Sequence, residues 1–373
     1  MKIAVTITRV LTGVLFIFSG LVKAIDPRGL AYKMQEFFEA WAHDGFLPTL
    51  MDRFSDHALA FSVVMISLEV IVGAALLFAW HKKLTTWILL LLILFFTFLT
   101  GYVLFTGHIR TCGCFGDCIP LTPLQTFSKD LLLLSMIVFL LINKKWILPI
   151  ARPSITVAII LTSTILTLFL QYYVLVHLPI IDCLPYKKGN DIAALRKMPL
   201  NAVPDKYEYA FVYMKEGKKQ QFSVTALPDS TWSFVERKQE LIEKGKNNTP
   251  LINDFSFTTF SGNDTTESIL SKSGVYYILY IKDVASHSGK WSNDQQLIAR
   301  LIENNQPVFI VTSQRNEVMS KIEAMSFGDK APLIFTCDGT AIKTAARANP
   351  VVYKMNGSLV EEKFSWTDFN KLN

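Results

Sequence analysis

The sequence predicts a bundle of five membrane-spanning helices followed by a soluble α/β domain. The chain has 373 residues, of which 51% are hydrophobic and 18% charged, and the long apolar runs are confined to residues 1–180. Five of these runs approach the ~20 residues that a helix needs to cross the hydrocarbon core of a bilayer. In the second half, strand patterns alternate with helix patterns, which is typical of an α/β sheet.

Charge in the loops predicts the orientation of the spans. The predicted spans are Ala4–Ala24, Ala58–Trp80, Leu84–Phe105, Leu124–Ile142 and Val157–Val176. The short loops at Lys82-Lys83 and at 144–152 are basic, as cytoplasmic loops are, whereas the segment 25–57 mixes both signs. An odd number of spans then places the N-terminus inside and residues 181–373 outside. The first run is followed by no small-residue cleavage site, so we expect it to be retained.

Three of the five cysteines lie in one short stretch, Thr111–Pro120, between the third and fourth spans. Gly113 and Gly116 permit tight turns between Cys112, Cys114 and Cys118, and close thiols at a membrane surface favour redox exchange. A structural disulfide, Cys112–Cys118 or Cys114–Cys118, is the alternative. A zinc site is disfavoured because no second Cys or His pair follows at a matching spacing.

Cys183 follows the fifth span and is predicted to emerge on the same membrane face as the cysteine stretch. Four thiols on one face make two pairs, which suits an electron relay and would equally suit two inert disulfides. A structural pairing would join Cys118 or Cys112 to Cys183 and so tie the loop to the exit of the fifth span. The predicted outer face is the oxidising side, where such pairs persist.

Ionisable residues inside two spans point to a functional pocket. Glu69 lies in the middle of the second span, where a carboxylate costs about 2.5–3.5 kcal/mol and needs a partner, with Ser19 and Arg9 as candidates. Lys129 and Asp130 lie near the start of the fourth span, where they could handle charge and protons beneath the cysteines. The alternatives are an interhelical hydrogen bond for Glu69 and snorkelling for Lys129, as expected for Lys23 at the end of the first span.

Apolar spacing predicts the remaining elements. An amphipathic helix over 29–41 lies on the outer surface or caps the bundle. A hairpin (207–215 and 219–224) and an amphipathic helix (231–243) come next. The predicted strands then cover 275–281, 307–312 and 333–336, the helices cover 294–302, 317–325 and 341–346, and a hairpin at 351–361 turns at Asn356-Gly357.

Residues 1–145 resemble the MauE/DoxX family of bacterial redox-associated membrane proteins. The resemblance rests on the run from Phe18 to Lys23 with Asp26-Pro27, on Glu69, and on Cys112-Gly113-Cys114-Phe115-Gly116. It implies a four-helix core similar to vitamin K epoxide reductase and to DsbB-type quinone-linked thiol oxidases. It also implies a role like that of MauE, which is implicated in disulfide formation during maturation of methylamine dehydrogenase.

Residues 250–373 resemble a thioredoxin-like domain, with Asn349-Pro350 where that fold carries its cis-proline. The family's Cys-x-x-Cys is replaced by the run from Val284 to Trp291, which has no thiol. Cys337 follows a later strand and is expected to be a lone buried cysteine. The resemblance therefore implies a docking module with no redox activity of its own. The predicted units are 1–146, the four-helix core; 147–180, the fifth span; 181–249, a connecting α+β region; and 250–373, the thioredoxin-like domain.

Two functions of different classes follow. The first is a thiol–disulfide oxidoreductase of the bacterial inner membrane, in which Cys112, Cys114, Cys118 and Cys183 exchange electrons with a periplasmic client and a membrane quinone. Lys129, Asp130 and Glu69 would handle protons and charge, and no metal is expected. The second is a non-catalytic assembly factor with structural cysteines, whose soluble domain holds the client. The net charge of +6 collects at span ends and requires no nucleic-acid partner.

The predicted orientation can be tested by fusion to alkaline phosphatase, which is active only outside the cytoplasm. A fusion after Asn373 should be active and a fusion after Lys83 should be silent, because short basic loops stay inside. The opposite pattern would contradict the whole topology.

Overall fold

The computed structural model describes residues 1–107, 109, 116–243 and 245–372. The helices of the first half are α1 (Lys2–Ala24), α2 (Pro27–His43), α3 (Pro48–Asp56), α4 (Ala58–Leu77), α5 (Lys82–Thr106), α6 (Pro123–Ile142) and α7 (Pro153–Val176). Among the described residues, α1 and α4 to α7 are long and apolar enough to cross a membrane. The chain is therefore a multi-pass membrane protein with the five predicted spans.

Helices α1 and α4 pack closely against each other because glycines line their contact. A Cβ atom on Gly20 would lie 2.6 Å from Val70 Cγ2, and one on Gly73 would lie 2.8 Å from Ile17 Cγ1. Small residues let membrane helices approach each other in this way, since lipid provides no hydrophobic force between them. The close approach brings the last turn of α1 beside the middle of α4.

Helix α2 is the predicted amphipathic helix, and it packs across one end of the bundle. Asp26 caps its N-terminus and Pro27 occupies the first position, which both favour a helix start. Its buried face, which includes Met34 and Phe37, contacts α3 and α4. Helix α3 was not predicted from the sequence, because most of its apolar side chains, such as Leu50, stay exposed.

Helix α6 begins as its sequence predicts. The Thr122 hydroxyl accepts from the backbone N–H of Gln125, and the Gln125 side chain accepts from the Thr122 N–H. This capping box satisfies two N–H groups that the first helical turn leaves without partners. It fixes where α6 starts and so places Lys129 and Asp130 two turns into the helix.

The second half contains two sheets. Its helices are α8 (Ile192–Leu195), α9 (Thr266–Leu270), α10 (Trp291–Glu303), α11 (Arg315–Glu323) and α12 (Gly339–Ala345). Its strands are β1 (Lys206–Lys215), β2 (Lys218–Ser223), β3 (Ser233–Glu243), β4 (Val275–Ile281), β5 (Val308–Thr312), β6 (Leu333–Thr336), β7 (Val351–Asn356) and β8 (Leu359–Ser365). The predicted elements from 275 onwards and the hairpin β1–β2 are confirmed.

The larger sheet has the strand order β6-β5-β4-β7-β8. Strands β4, β5 and β6 run parallel, whereas β7 pairs antiparallel with both β4 and β8. Helices α10 and α11 pack on one face through Leu297, Ile298 and Val318. Helix α12 packs on the other face through Ile342. The central strand β4 is buried on both faces, which explains its continuous apolar sequence.

The predicted helix over 231–243 is wrong, because residues 233–243 form β3 and pair antiparallel with β1. Tyr213 lies opposite Phe234, and Tyr207 lies opposite Leu241. Phe234 and Leu241 remain exposed, so the apolar spacing never forms the buried face that stabilises a helix. Cross-strand aromatic contacts and backbone pairing with β1 favour the strand instead.

The run that follows β4 contains a buried pair of ionisable side chains. His287 Nε2 lies 2.5 Å from Asp294 Oδ2, and neither side chain is exposed to solvent. Burial raises the pKa of Asp294, and the His287 ring also packs edge-on against Trp291. The pair joins the loop after β4 to helix α10. The Asn349–Pro350 peptide bond is cis, as the sequence predicts.

Breaking this pair should destabilise the soluble domain. His287→Phe leaves the Asp294 carboxyl buried without its partner, which costs about 3–5 kcal/mol. The double variant His287→Phe/Asp294→Leu should recover part of this loss, because an apolar pair needs no buried charge. Thermal unfolding of the full-length variants in detergent measures both. A double variant as unstable as the single one would show that shape, and not charge pairing, fixes this loop.

Candidate functional site

A cavity of about 340 Å³ lies inside the helix bundle, and we call it the bundle cavity. Apolar side chains from α1, α5 and α6 form most of its wall, and two pairs of opposite charges are part of it. The lining residues are Leu15, Phe16, Ser19, Lys23, Glu69, Ile93, Phe96, Leu121, Gln125, Lys129, Asp130 and Leu133. The cavity thus brings together all three ionisable residues that the sequence singled out in the spans.

The first charge pair joins α1 to α4. Lys23 Nζ lies 2.5 Å from Glu69 Oε1, and the two side chains are 2% and 1% exposed. Lys23 also donates to Ser19 Oγ at 3.0 Å and lies 4.4 Å from the centre of the Phe96 ring. The expected snorkelling of Lys23 is wrong, because pairing with the deep Glu69 charge stabilises both groups more than exposure at the interface would.

The partners expected for Glu69 are corrected as well. Arg9 donates to the backbone oxygen of Leu148 at 2.8 Å, so it lies at the opposite end of α1 from the cavity. Lys23 donates to both Ser19 Oγ and Glu69 Oε1, so the lysine connects Ser19 to Glu69. One helical turn separates Ser19 from Lys23, and both side chains therefore face the same side of α1.

The second charge pair lies on α6. Lys129 Nζ is 2.7 Å from Asp130 Oδ1, and the Asp130 side chain is 1% exposed. Thr100 of α5 donates to Asp130 Oδ2 at 3.0 Å. A carboxylate held by a lysine and a hydroxyl can keep its charge inside the bundle or accept a proton from a bound group.

The cysteines predicted on one membrane face are partly brought together. Cys118 and Cys183 form a disulfide with a Cα–Cα distance of 4.9 Å, which is one of the pairings left open by the sequence. The disulfide connects the loop between α5 and α6 to the chain that leaves α7. Cys112 and Cys114 lie outside the described residues. Cys337 is buried, and burial raises the pKa of its thiol to about 11.

One continuous segment of the chain connects the disulfide to the wall of the bundle cavity. Leu121 and Gln125 line the cavity, three and seven residues after Cys118. Asp117, on the other side of Cys118, accepts from Arg347 of the soluble domain at 3.0 Å. The segment 117–125 therefore runs from the soluble domain, through the disulfide, to the wall of the cavity.

Arg347 joins the soluble domain to the bundle. Its Nε donates to Asp26 at 2.8 Å, and the same carboxylate accepts from the Gly29 N–H at the start of α2. The Arg347 side chain is 6% exposed. Burial alone would lower the pKa of Arg347, but Asp26 and Asp117 outweigh it and raise the pKa above its usual value.

A second contact at the same junction lies around Tyr32 of α2. Lys282, at the end of β4, donates to the Tyr32 hydroxyl at 2.8 Å. Burial lowers the pKa of Lys282 well below its usual value, and the positive charges of Arg28 and Arg347 lower it further. Burial also raises the pKa of Tyr32.

Lys23 and Arg347 are site residues that the sequence analysis missed. The signal for Lys23 was present, because it lies at the end of a span that must pack against the carboxylate of Glu69. Arg347 gave no signal, because its partners Asp26 and Asp117 precede it by 321 and 230 residues.

Removing the Arg347 charge should loosen the junction. Arg347→Gln leaves Asp26 without its cation, a loss of about 3 kcal/mol that corresponds to roughly 100-fold in an equilibrium constant. Hydrogen exchange of the backbone amides at 26–35 should therefore speed up. Lys354→Gln is the matched control, because its Glu361 partner lies on the neighbouring strand away from the junction. Equal exchange rates in both variants would contradict this role of Arg347.

Comparison with known proteins supports the predicted membrane region. Residues 1–143 match the family described as "Methylamine utilisation protein MauE", and residues 207–244 match a "Domain of unknown function (DUF8463)". The chain is 35% identical over 83 residues, 21% of its length, to "Protein TlpB" of Flavobacterium psychrophilum, and it spans 23% of that protein. No solved structure matches the chain. Residues 1–143 of this chain, which include four of the five candidate spans, are thus similar to the MauE family.

Proposed function

We propose that this protein exchanges disulfides with a client and passes the electrons to a membrane quinone. The observation that supports the proposal most directly is the position of the Cys118–Cys183 disulfide, on a segment that also lines the bundle cavity. The similarity of residues 1–143 to the MauE family agrees with it. Cys112 and Cys114 are the second thiol pair of the proposed relay.

The bundle cavity fits a quinone in its chemistry. A quinone has an apolar ring and carbonyl oxygens that accept hydrogen bonds, and the cavity offers apolar walls with donors at Gln125 and Lys129. When bound, such a group accepts two electrons and two protons. Glu69 and Asp130 are the carboxylates able to exchange protons there, while Lys23 and Lys129 balance their charge.

We further propose that residues 250–373 are a thioredoxin-like domain without redox activity. The order β6-β5-β4-β7-β8, three parallel strands followed by an antiparallel hairpin with helices on both faces, supports this assignment. We also propose the division into 1–146, 147–180, 181–249 and 250–373; the two family matches, over 1–143 and 207–244, fall within the first and third of these units.

The proposed location is the bacterial inner membrane, with the soluble domain in the periplasm. The basic loops support this orientation, because Lys82 and the 144–152 segment meet at the end of the bundle away from the disulfide. A periplasmic site would also keep the Cys118–Cys183 bond oxidised.

A second candidate, a non-catalytic assembly factor, is favoured by one specific feature. The Cys118–Cys183 disulfide ties the α5–α6 loop to the end of α7, as a structural bond would. In that case the soluble domain would hold a client protein, and the bundle would serve as its membrane anchor.

The two candidate functions predict different results in an assay of dithiol oxidation, because only the oxidoreductase turns over. Full-length protein in vesicles with a short-chain quinone should oxidise dithiothreitol and reduce the quinone. Cys112→Ser, Cys114→Ser, Cys118→Ser and Cys183→Ser should each lower the rate to that of empty vesicles, because each breaks the relay. Asp130→Asn and Glu69→Gln should lower it by about 100-fold, as loss of proton transfer does.

Cys337→Ala is the matched control, since this buried thiol lies in the soluble domain away from the disulfide. It should keep the wild-type rate. If all four serine variants also keep that rate, or if the wild type oxidises no dithiol, the assembly-factor function replaces the enzyme.

A further inference from the structure

A second cavity, of about 480 Å³, lies where α2 meets the soluble domain, and we call it the junction cleft. One wall comes from α2 with Tyr32, Gln35 and Glu36, and another from α12 with Thr340 and Lys343. Cys183 also lines it. Of the two cysteines of the disulfide, Cys183 is the one that lines the cleft.

The two sulfurs of the disulfide have different surroundings. Cys183 lines the junction cleft together with Leu184, its neighbour in the chain. Cys118 lines neither cavity: its neighbours Asp117 and Pro120 line the junction cleft, and Leu121 and Gln125 further along line the bundle cavity. In thiol–disulfide exchange the outcome depends on which sulfur is attacked, and access decides that choice.

We propose that the junction cleft binds an extended, cysteine-containing segment of a reduced protein and that its thiolate attacks the Sγ atom of Cys183. This inference rests on the proposed function and names its substrate class and entry point. A new sulfur–sulfur bond joins the client to Cys183 while the Cys118–Cys183 bond breaks. The bonding electron pair leaves with Cys118, which becomes a thiolate.

A second client thiolate then attacks the client sulfur of this mixed disulfide. The client gains its disulfide, and Cys183 leaves as a thiolate. In total the client loses two electrons and its two thiol protons, and the Cys118–Cys183 disulfide is reduced to a dithiol. In the proposed relay this dithiol would become a disulfide again by passing two electrons and two protons through the Cys112/Cys114 pair to a quinone held in the bundle cavity.

The lining of the cleft favours a polypeptide over a small thiol. Lys343 of the soluble domain donates to Gln35 of α2 at 3.4 Å, so hydrogen-bonding groups from both sides meet in the cleft. Glu36 and Thr340 add a carboxylate and a hydroxyl. An extended segment carries a backbone donor and acceptor at almost every residue, which such groups can bind. The volume of the junction cleft lies within the roughly 300–1,000 Å³ that is typical of ligand sites, and it is larger than a small dithiol would fill.

The attacked sulfur can be mapped directly. Oxidised full-length protein in the Cys112→Ser/Cys114→Ser background is incubated with a synthetic ten-residue peptide that carries one cysteine, then alkylated and digested. Mass spectrometry should find the peptide on Cys183 and the alkyl group on Cys118. Peptide attached to Cys118 instead would overturn the inference.

Blocking the cleft should affect the oxidation rate of a peptide more than that of a small dithiol. Thr340→Trp fills the cleft from an exposed position of α12, and Ser320→Trp is the matched control on the exposed side of α11. With all native cysteines present, Thr340→Trp should slow oxidation of a two-cysteine peptide by about tenfold, equivalent to ~1.4 kcal/mol of binding. It should slow dithiothreitol oxidation less than peptide oxidation, because the smaller reductant occupies less of the cleft, and Ser320→Trp should change neither rate.

These outcomes distinguish the inference from the proposed function. If dithiothreitol is oxidised normally but Thr340→Trp leaves the peptide rate unchanged, the cleft is not the entry point, while the enzyme remains. If wild-type protein oxidises neither peptide nor dithiothreitol, the proposed function itself is wrong.

Discussion

The need to pair a charge inside the membrane is the constraint on which the bundle depends. Glu69 lies in the middle of α4, and its partner Lys23 comes from the last turn of α1, so these helices must approach closely. Glycines at their contact allow that approach. The pair then forms part of the wall of the bundle cavity, where α5 and α6 supply the apolar remainder. One electrostatic requirement thus sets both the helix packing and the chemistry of the cavity.

The elements whose signals are local were predictable from the sequence. The five spans follow from hydropathy, the start of α6 from its capping residues, and β4 from a continuous apolar run. The strand at 233–243 was not predictable from the sequence, because its conformation depends on pairing with β1 and not on its own apolar spacing. Helix propensity and periodicity say nothing about a partner strand elsewhere in the chain.

The candidate site likewise contains residues that were predictable from the sequence and residues that were not. Glu69, Lys129 and Asp130 could be identified from the sequence because ionisable groups are rare within spans, and all three line one cavity. The link from the soluble domain to the cysteine stretch could not be identified from the sequence. Arg347 is far in the chain from the carboxylates of Asp26 and Asp117 that it contacts. Such contacts follow from the packing of whole domains, and single-sequence patterns carry no trace of them. The result is a bundle and a soluble domain that meet at the disulfide.

The long sequence separation of Arg347 from its partners sets an order of events during synthesis. Cys183 follows Cys118 by 65 residues, which a ribosome adds in about 3–13 s at ~5–20 residues per second. Arg347 follows Asp117 by 230 residues and is therefore made about 10–50 s after it. The disulfide loop can close while the soluble domain is still being synthesised. The nascent chain can thus assemble its membrane half before Arg347, which joins the soluble domain to that half, is synthesised.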